Sequence, residues 1–154
     1  EYSRVATGAG GGSAVIDLKD YLVPGYSYEF RLIVTSEEAV GNFSPKLDQL
    51  LATSACVKSF IRAAIEATDK YLPEGYITVG QSIEISHEVP SYIGTAVNFK
   101  ATLRDIDRNK IYYDLLAWDY MGTVATGKHT RAVVDWALLM EGARERAYLQ
   151  DQGL

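Results

Sequence analysis

Residues 54–70, SACVKSFIRAAIEATDK, carry the one long helical pattern before the C-terminal segment. Lys58, Arg62 and Glu66 recur every four residues and Asp69 extends them, giving one narrow polar stripe. Ala55, Cys56, Phe60, Ala63, Ala64 and Ala67 fill much of the remaining circumference. Such a helix has to be covered on most of its sides, and its alanines let the cover come close. Pro73 and Gly75 end it.

The cover lies on either side in sequence. Residues 26–35, YSYEFRLIVT, mix aromatic, β-branched and polar residues as a strand does, after a Pro24-Gly25 turn. SEEAVGNFSPKL follows as loop and one short helical turn, with Ser44 as its cap and Pro45 at its first position. Beyond Gly75, the runs ITVGQSIEISHEV, TAVNFKATLRDI, KIYYDLLAWDY and GTVATGKHTRAVVDW each alternate or nearly so. Residues 107–110 and Met121-Gly122 read as hairpin turns, which makes the last three runs an antiparallel meander. ALLMEGARERAYLQ predicts a C-terminal helix with a solvated charged face. An antiparallel sheet with one apolar face, wrapped around a single long helix, is an α+β hotdog architecture. One helix under a wide sheet leaves apolar edge uncovered, so a homodimer is expected.

The chain has 154 residues, enough for one domain with a real core. Residues 15–154 are assigned to that domain. The opening EYSRVATGAGGGSA, residues 1–14, reads as a flexible arm, since its glycines lack the preceding strand and following helix of a phosphate-binding loop. A net charge of −5 argues against a nucleic-acid partner or an anionic membrane surface. No apolar run approaches the ~20 residues of a membrane span, and no secretory signal is read at the N-terminus. Cys56 is the only cysteine, which excludes an intramolecular disulfide and fits a cytoplasmic protein.

Few residues are candidates for chemistry. His87 follows Ile83 and Ile85 on one strand face, close to Pro90 and Gly94 at a rim. It is either a hydrogen-bonded core histidine or a functional one, a general base or a substrate-orienting donor, and in the second case it faces a pocket lined by Ile83 and Ile85. Thr53 stands directly before the helix as its N-cap, a place that also stabilises developing negative charge. His129 and Arg131 share a strand face, as a solvated cation pair or as groups that order an anionic site. Cys56, among apolar neighbours, reads as a buried structural thiol. The two histidines are 42 residues apart and no cluster has ligand spacing, so no metal site is expected.

At these residues the chain resembles the fluoroacetyl-CoA thioesterase family of hotdog proteins. The resemblance runs over roughly residues 22–135, through VPGYSYEFRLIVTSEEAV, LLATSACV, YLPEG with VGQSIEISHEVPSYIG, and ATGKHTRAVVD. It implies hydrolysis of a small acyl-CoA thioester, with coenzyme A entering as part of the substrate and no separate cofactor. Thr53 and His87 match the family's catalytic threonine and histidine. Gly80, His129 and Arg131 fall on positions that bind substrate or order the site. The family's helix glutamate has no counterpart: eight residues past Thr53 stands Ile61, which is neither nucleophile nor base. Two readings follow. One is a thioesterase slowed by that loss, unless Glu66, Glu84, Glu88 or a carboxylate of a partner subunit substitutes. The other is a non-hydrolytic acyl-CoA or small-ligand binder, or a lyase or dehydratase on the same scaffold.

Overall fold

A computed structural model describes residues 4–6 and 15–153. Its elements are β1 (Arg4–Ala6), β2 (Val15–Asp17), β3 (Ser27–Ile33), α1 (Thr53–Thr68), β4 (Tyr76–His87), β5 (Ala96–Asp107), β6 (Lys110–Asp119), β7 (Gly122–Asp135) and α2 (Trp136–Asp151). Short 3-10 turns connect them. Of the expected arm, Arg4–Ala6 pair antiparallel with Val15–Asp17 as a small ribbon. Residues 1–3 and 7–14 lie outside the described residues.

The five long strands form one antiparallel sheet in the order β3-β5-β6-β7-β4. β5, β6 and β7 are the expected meander. The chain then uses β3 and β4, which flank α1 in sequence, as the two edges. Val97, Phe99, Ala101 and Leu103 of β5, with Ile111, Tyr113, Leu115 and Ala117 of β6, face inward and are buried. α1 lies in the concave face. Phe60 meets Phe99 edge-on, with ring centroids 5.2 Å apart, while Cys56, Ala63 and Ala64 are fully buried. Lys58, Arg62 and Glu66 stay exposed as the stripe predicts. Arg62 lies over the Phe30 ring at 4.2 Å.

Three local expectations are corrected. α1 begins at Thr53 itself, so its N-cap is Ala52, which has no side chain to cap with. The Thr53 hydroxyl is engaged elsewhere. Asp69 does not extend the polar stripe. It turns back to accept from the hydroxyl and amide of Thr78 on β4, at 2.6 and 3.2 Å. Ser44 precedes its 3-10 turn without a side-chain cap. The working cap in that region is Thr35, whose hydroxyl accepts from Glu37 N–H while Glu38 accepts from Thr35 N–H at 2.7 Å.

Glycine is required at two contacts. A Cβ on Gly127 of β7 would strike the Glu84 carbonyl of β4, and one on Gly41 would strike Ser54 Oγ. The first lets β4 close on β7, and the second seats the 36–42 turn against the start of α1. α2 has no buried residue.

Candidate active site

Thr53 enters at the first residue of α1, and His87 at the last residue of β4, in register with Ala125 of β7. Two features hold the helix start in place. Asn42 donates through Nδ2 to the carbonyls of Leu47 and Leu50, both at 2.8 Å. Leu51 N–H donates to Ser91 O at 2.9 Å, which ties the helix entry to the segment after His87. The result is a direct contact between Thr53 Oγ1 and His87 Nδ1 at 2.9 Å. The other ring nitrogen, Nε2, sits 3.9 Å from Cys56 Sγ, one helical turn beyond Thr53. With no cap on α1, the N–H groups of Thr53 and Ser54 carry no hydrogen bond among the described residues.

His87 is half-buried. Burial pushes its pKa below the ordinary value, opposed by the Val89 backbone. The imidazole is therefore neutral at pH 7 and free to accept a proton. Burial pushes the Cys56 thiol the other way, up to about 11. It is the inert thiol expected from its neighbours, but it also closes the inner side of the His87 ring.

A pocket of about 240 Å³ opens beside this pair, walled by Asn42, Leu50, Leu51, Glu88 and Pro90 with Thr53 and His87. It is not lined by Ile83 and Ile85, which pack against the core instead. Of the three carboxylates named from the sequence, Glu88 reaches it. Glu66 stays on the exposed stripe, and Glu84 borders a different recess with Lys128. Ile61 is eight residues along α1, roughly 12 Å from Thr53 at 1.5 Å per residue. A carboxylate at that position would stand well away from the Thr53–His87 pair of its own chain.

Gly80, His129 and Arg131 form a second cluster, near the other end of α1. The structure does not bring them to Thr53 and His87 within one chain. Neither are His129 and Arg131 a solvated pair: they are only 3% and 4% exposed. Arg131 donates through Nε to Thr78 Oγ1 at 2.8 Å and through Nη2 to Thr78 O at 3.0 Å. His129 Nδ1 is 2.7 Å from Ser82 O, which only accepts, so that nitrogen carries the proton. Nε2 then accepts from Arg131 Nη1 at 3.2 Å. Tyr113 stacks on His129 and shares a 2.6 Å hydrogen bond with Thr68 of α1. Gly80 faces this cluster across the sheet, where a Cβ would stand 3.3 Å from Arg131 Nη1.

Sequence reasoning missed Asn42 and the Cys56 contact. Cys56 carried a signal, since three residues past Thr53 it shares a helix face with it. Among the described residues no group of three or more His, Cys, Asp or Glu is arranged to hold a metal ion. No helix of the described residues is long and apolar enough to cross a membrane.

The profile of the family described as fluoroacetyl-CoA-specific thioesterase (FlK) matches residues 34–137. That span contains Thr53, Gly80, His87, His129 and Arg131. The chain belongs to the FlK family. Its fold is that of the hotdog proteins. A hot-dog-like protein from Thermanaerovibrio acidaminovorans is 30% identical, with a TM-score of 0.82 over 85% of this chain and 97% of that one. A thioesterase superfamily member from Thermus thermophilus is 22% identical, with a TM-score of 0.76 over 86% and 97%. The fluoroacetyl-CoA thioesterase of Streptantibioticus cattleyicolor is 24% identical over 123 residues, 76% of this FlK-family chain and 88% of that protein.

Proposed function

We propose that the chain hydrolyses a small acyl-CoA thioester at the Thr53–His87 pair. The observation that carries this reading is the 2.9 Å contact between Thr53 Oγ1 and His87 Nδ1 at the uncapped start of α1. A neutral histidine accepts the proton of water, directly or through the threonine hydroxyl. The carbonyl oxygen gains negative charge as water adds, and the Thr53 and Ser54 N–H groups are donors without acceptors there among the described residues; collapse of the adduct then breaks the C–S bond, and the departing coenzyme A thiolate takes the proton from His87. Glu88 is the carboxylate at hand to order water in the pocket. Water and the chain's own groups suffice for this reaction, with coenzyme A as part of the substrate. The lone, buried Cys56 supports a reducing compartment such as the cytoplasm.

A homodimer belongs to the same reading. β4 is an edge strand of twelve residues, and among the described residues no strand pairs with its outer side. Such an edge invites antiparallel pairing with a second copy. A two-fold axis near Ser82–Glu84 would set His87 of one copy beside the Gly80–Arg131 region of the other. Arg131 uses three of its five N–H donors within its own chain. In this arrangement Gly80, His129 and Arg131 order the neighbouring copy's site.

The test is thiol release from short, branched and aromatic acyl-CoAs, with His87→Ala beside the unaltered chain. Turnover lost in the variant supports a thioesterase. Ile61 favours the second reading, a binder of acyl-CoA without hydrolysis. Binding without thiol release on any substrate would select it and sink the first.

A further inference from the structure

Two neighbouring residues at the end of α1, Thr68 and Asp69, reach the Gly80–Arg131 cluster, and the Thr53–His87 chemistry uses neither. Thr68 Oγ1 meets the Tyr113 hydroxyl at 2.6 Å, and the Tyr113 ring stacks on His129. Asp69 takes the other side. Its Oδ1 accepts the Thr78 hydroxyl at 2.6 Å, and its Oδ2 accepts Thr78 N–H at 3.2 Å. The two oxygens of Thr78 both accept from Arg131, Oγ1 from Nε at 2.8 Å and the carbonyl from Nη2 at 3.0 Å. Thr78, only 5% exposed, thus stands between a carboxylate and a guanidinium, with its donors on one and its acceptors on the other.

We propose that Asp69, acting through Thr78, is the positioning residue that fixes Arg131 for the neighbouring copy's site. The destination of Arg131 rests on the dimeric thioesterase reading; the relay that holds it does not. Arg131 is buried, and no carboxylate lies within 4 Å of it among the described residues. A buried guanidinium without a direct ion pair depends on its hydrogen bonds and on the nearest opposite charge. Burial keeps the Tyr113 phenol protonated. Desolvation lowers the Arg131 pKa, and with that phenol neutral, Asp69 is the negative charge that opposes the shift.

The relay has a direction. The Thr78 hydroxyl has one proton and Asp69 takes it, so the oxygen lone pairs face Arg131 Nε–H. Without the carboxylate the hydroxyl is free to turn its proton toward the guanidinium, and Nε–H loses its acceptor. Asparagine does not repair this, since its amide accepts from one Thr78 donor and sets an N–H against the other. Three N–H groups of Arg131 go to Thr78 and His129, which leaves one on each terminal nitrogen. Gly80 lies beside Nη1, where a Cβ would stand 3.3 Å away, and the lack of one leaves Nη1 uncrowded. α1 therefore serves two sites. Its first residue meets His87 in its own chain, and the residue at its end holds the donors offered to the other copy.

The test compares Asp69→Asn, Thr78→Val and Thr78→Ser with the unaltered full chain, at a temperature where melting curves show all of them folded. One readout is thiol release from acyl-CoA. The other is the Arg131 Nε–H signal in a proton–nitrogen spectrum, assigned by its loss in Arg131→Gln. kcat/KM is expected to fall about tenfold in Asp69→Asn and Thr78→Val, as one hydrogen bond to a charged group is lost, and to return in Thr78→Ser, which keeps the hydroxyl. Added to Arg131→Gln, Asp69→Asn is expected to cost nothing more. The Nε–H signal is expected to exchange slowly in the unaltered chain and in Thr78→Ser, and to shift and exchange fast in the other two. An Arg131 signal indifferent to Asp69→Asn overturns the proposal. So does a lower melting temperature with kcat/KM intact, or an equal loss from Asp69→Asn with and without Arg131. Thiol release with an indifferent signal removes this relay and leaves the thioesterase reading. A signal that answers to Asp69 in a chain that releases no thiol keeps the relay and removes that reading.

Discussion

Thr53 shows how much one hydroxyl can change a reading. Placed one residue earlier it would be an N-cap, spent on a backbone N–H. Placed at the first helical residue, it is free for His87. Thr53→Val keeps the shape and removes the contact. The expected loss is on the order of 10²–10⁴ in kcat/KM, like that for a general base, with stability almost unchanged. Thiol release and a urea titration measure the two. The pH profile follows from the direction of the His87 shift. Desolvation lowers its pKa below the ordinary 6.5, and the active form is the neutral one. The rate is therefore expected to rise with pH below 6.5 and to be flat through pH 7. A rate still rising between pH 7 and 8 would count against His87 as the base. Cys56, held at about 11, is expected to react with a thiol reagent at pH 7 only after unfolding.

At the scale of the element, α1 and the strands were legible because their periodicity is strong. The stripe of Lys58, Arg62 and Glu66 and the alanine-rich remainder describe a helix enclosed by a sheet, and the sheet encloses it. Phe60 is the test of that packing. It is fully buried against Phe99, so Phe60→Ala is expected to cost about 3–5 kcal/mol in a denaturant titration. Asp69 was misread because its sequence position fits the stripe, while the bend after Thr68 turns it toward Thr78. Its pairing depends on β4, and nothing local to the helix reports that.

At the scale of the molecule, the buried network around Arg131 joins β4, β6, β7 and the end of α1. Its acid sensitivity follows from His129. The pKa of that residue is lowered by desolvation, with Arg131 adding to the shift. The unfolded chain therefore binds a proton at higher pH than the folded one. This contribution to stability is complete above about pH 6.5 and is lost as pH falls toward the depressed folded value. His87, lowered as well, adds in the same direction. A melting temperature that falls between pH 7 and 5, and falls less in His129→Gln, is the expected result. The edge strand β4 carries the other prediction at this scale. Sedimentation is expected to give a dimer, and a monomer that hydrolyses acyl-CoA fully would remove Gly80 and Arg131 from the site.

By itself the sequence determined the helix, the long strands, the meander and the pair of residues worth watching. All of these rest on local periodicity and on short ordered motifs. Tertiary structure alone decided which strands became edges, that Thr53 meets His87, that Glu88 and not Ile83 or Ile85 borders the pocket, and that His129 and Arg131 are buried. Each of these depends on where two distant segments cross. Side-chain spacing along one strand says which face a residue takes, but not what stands across from it.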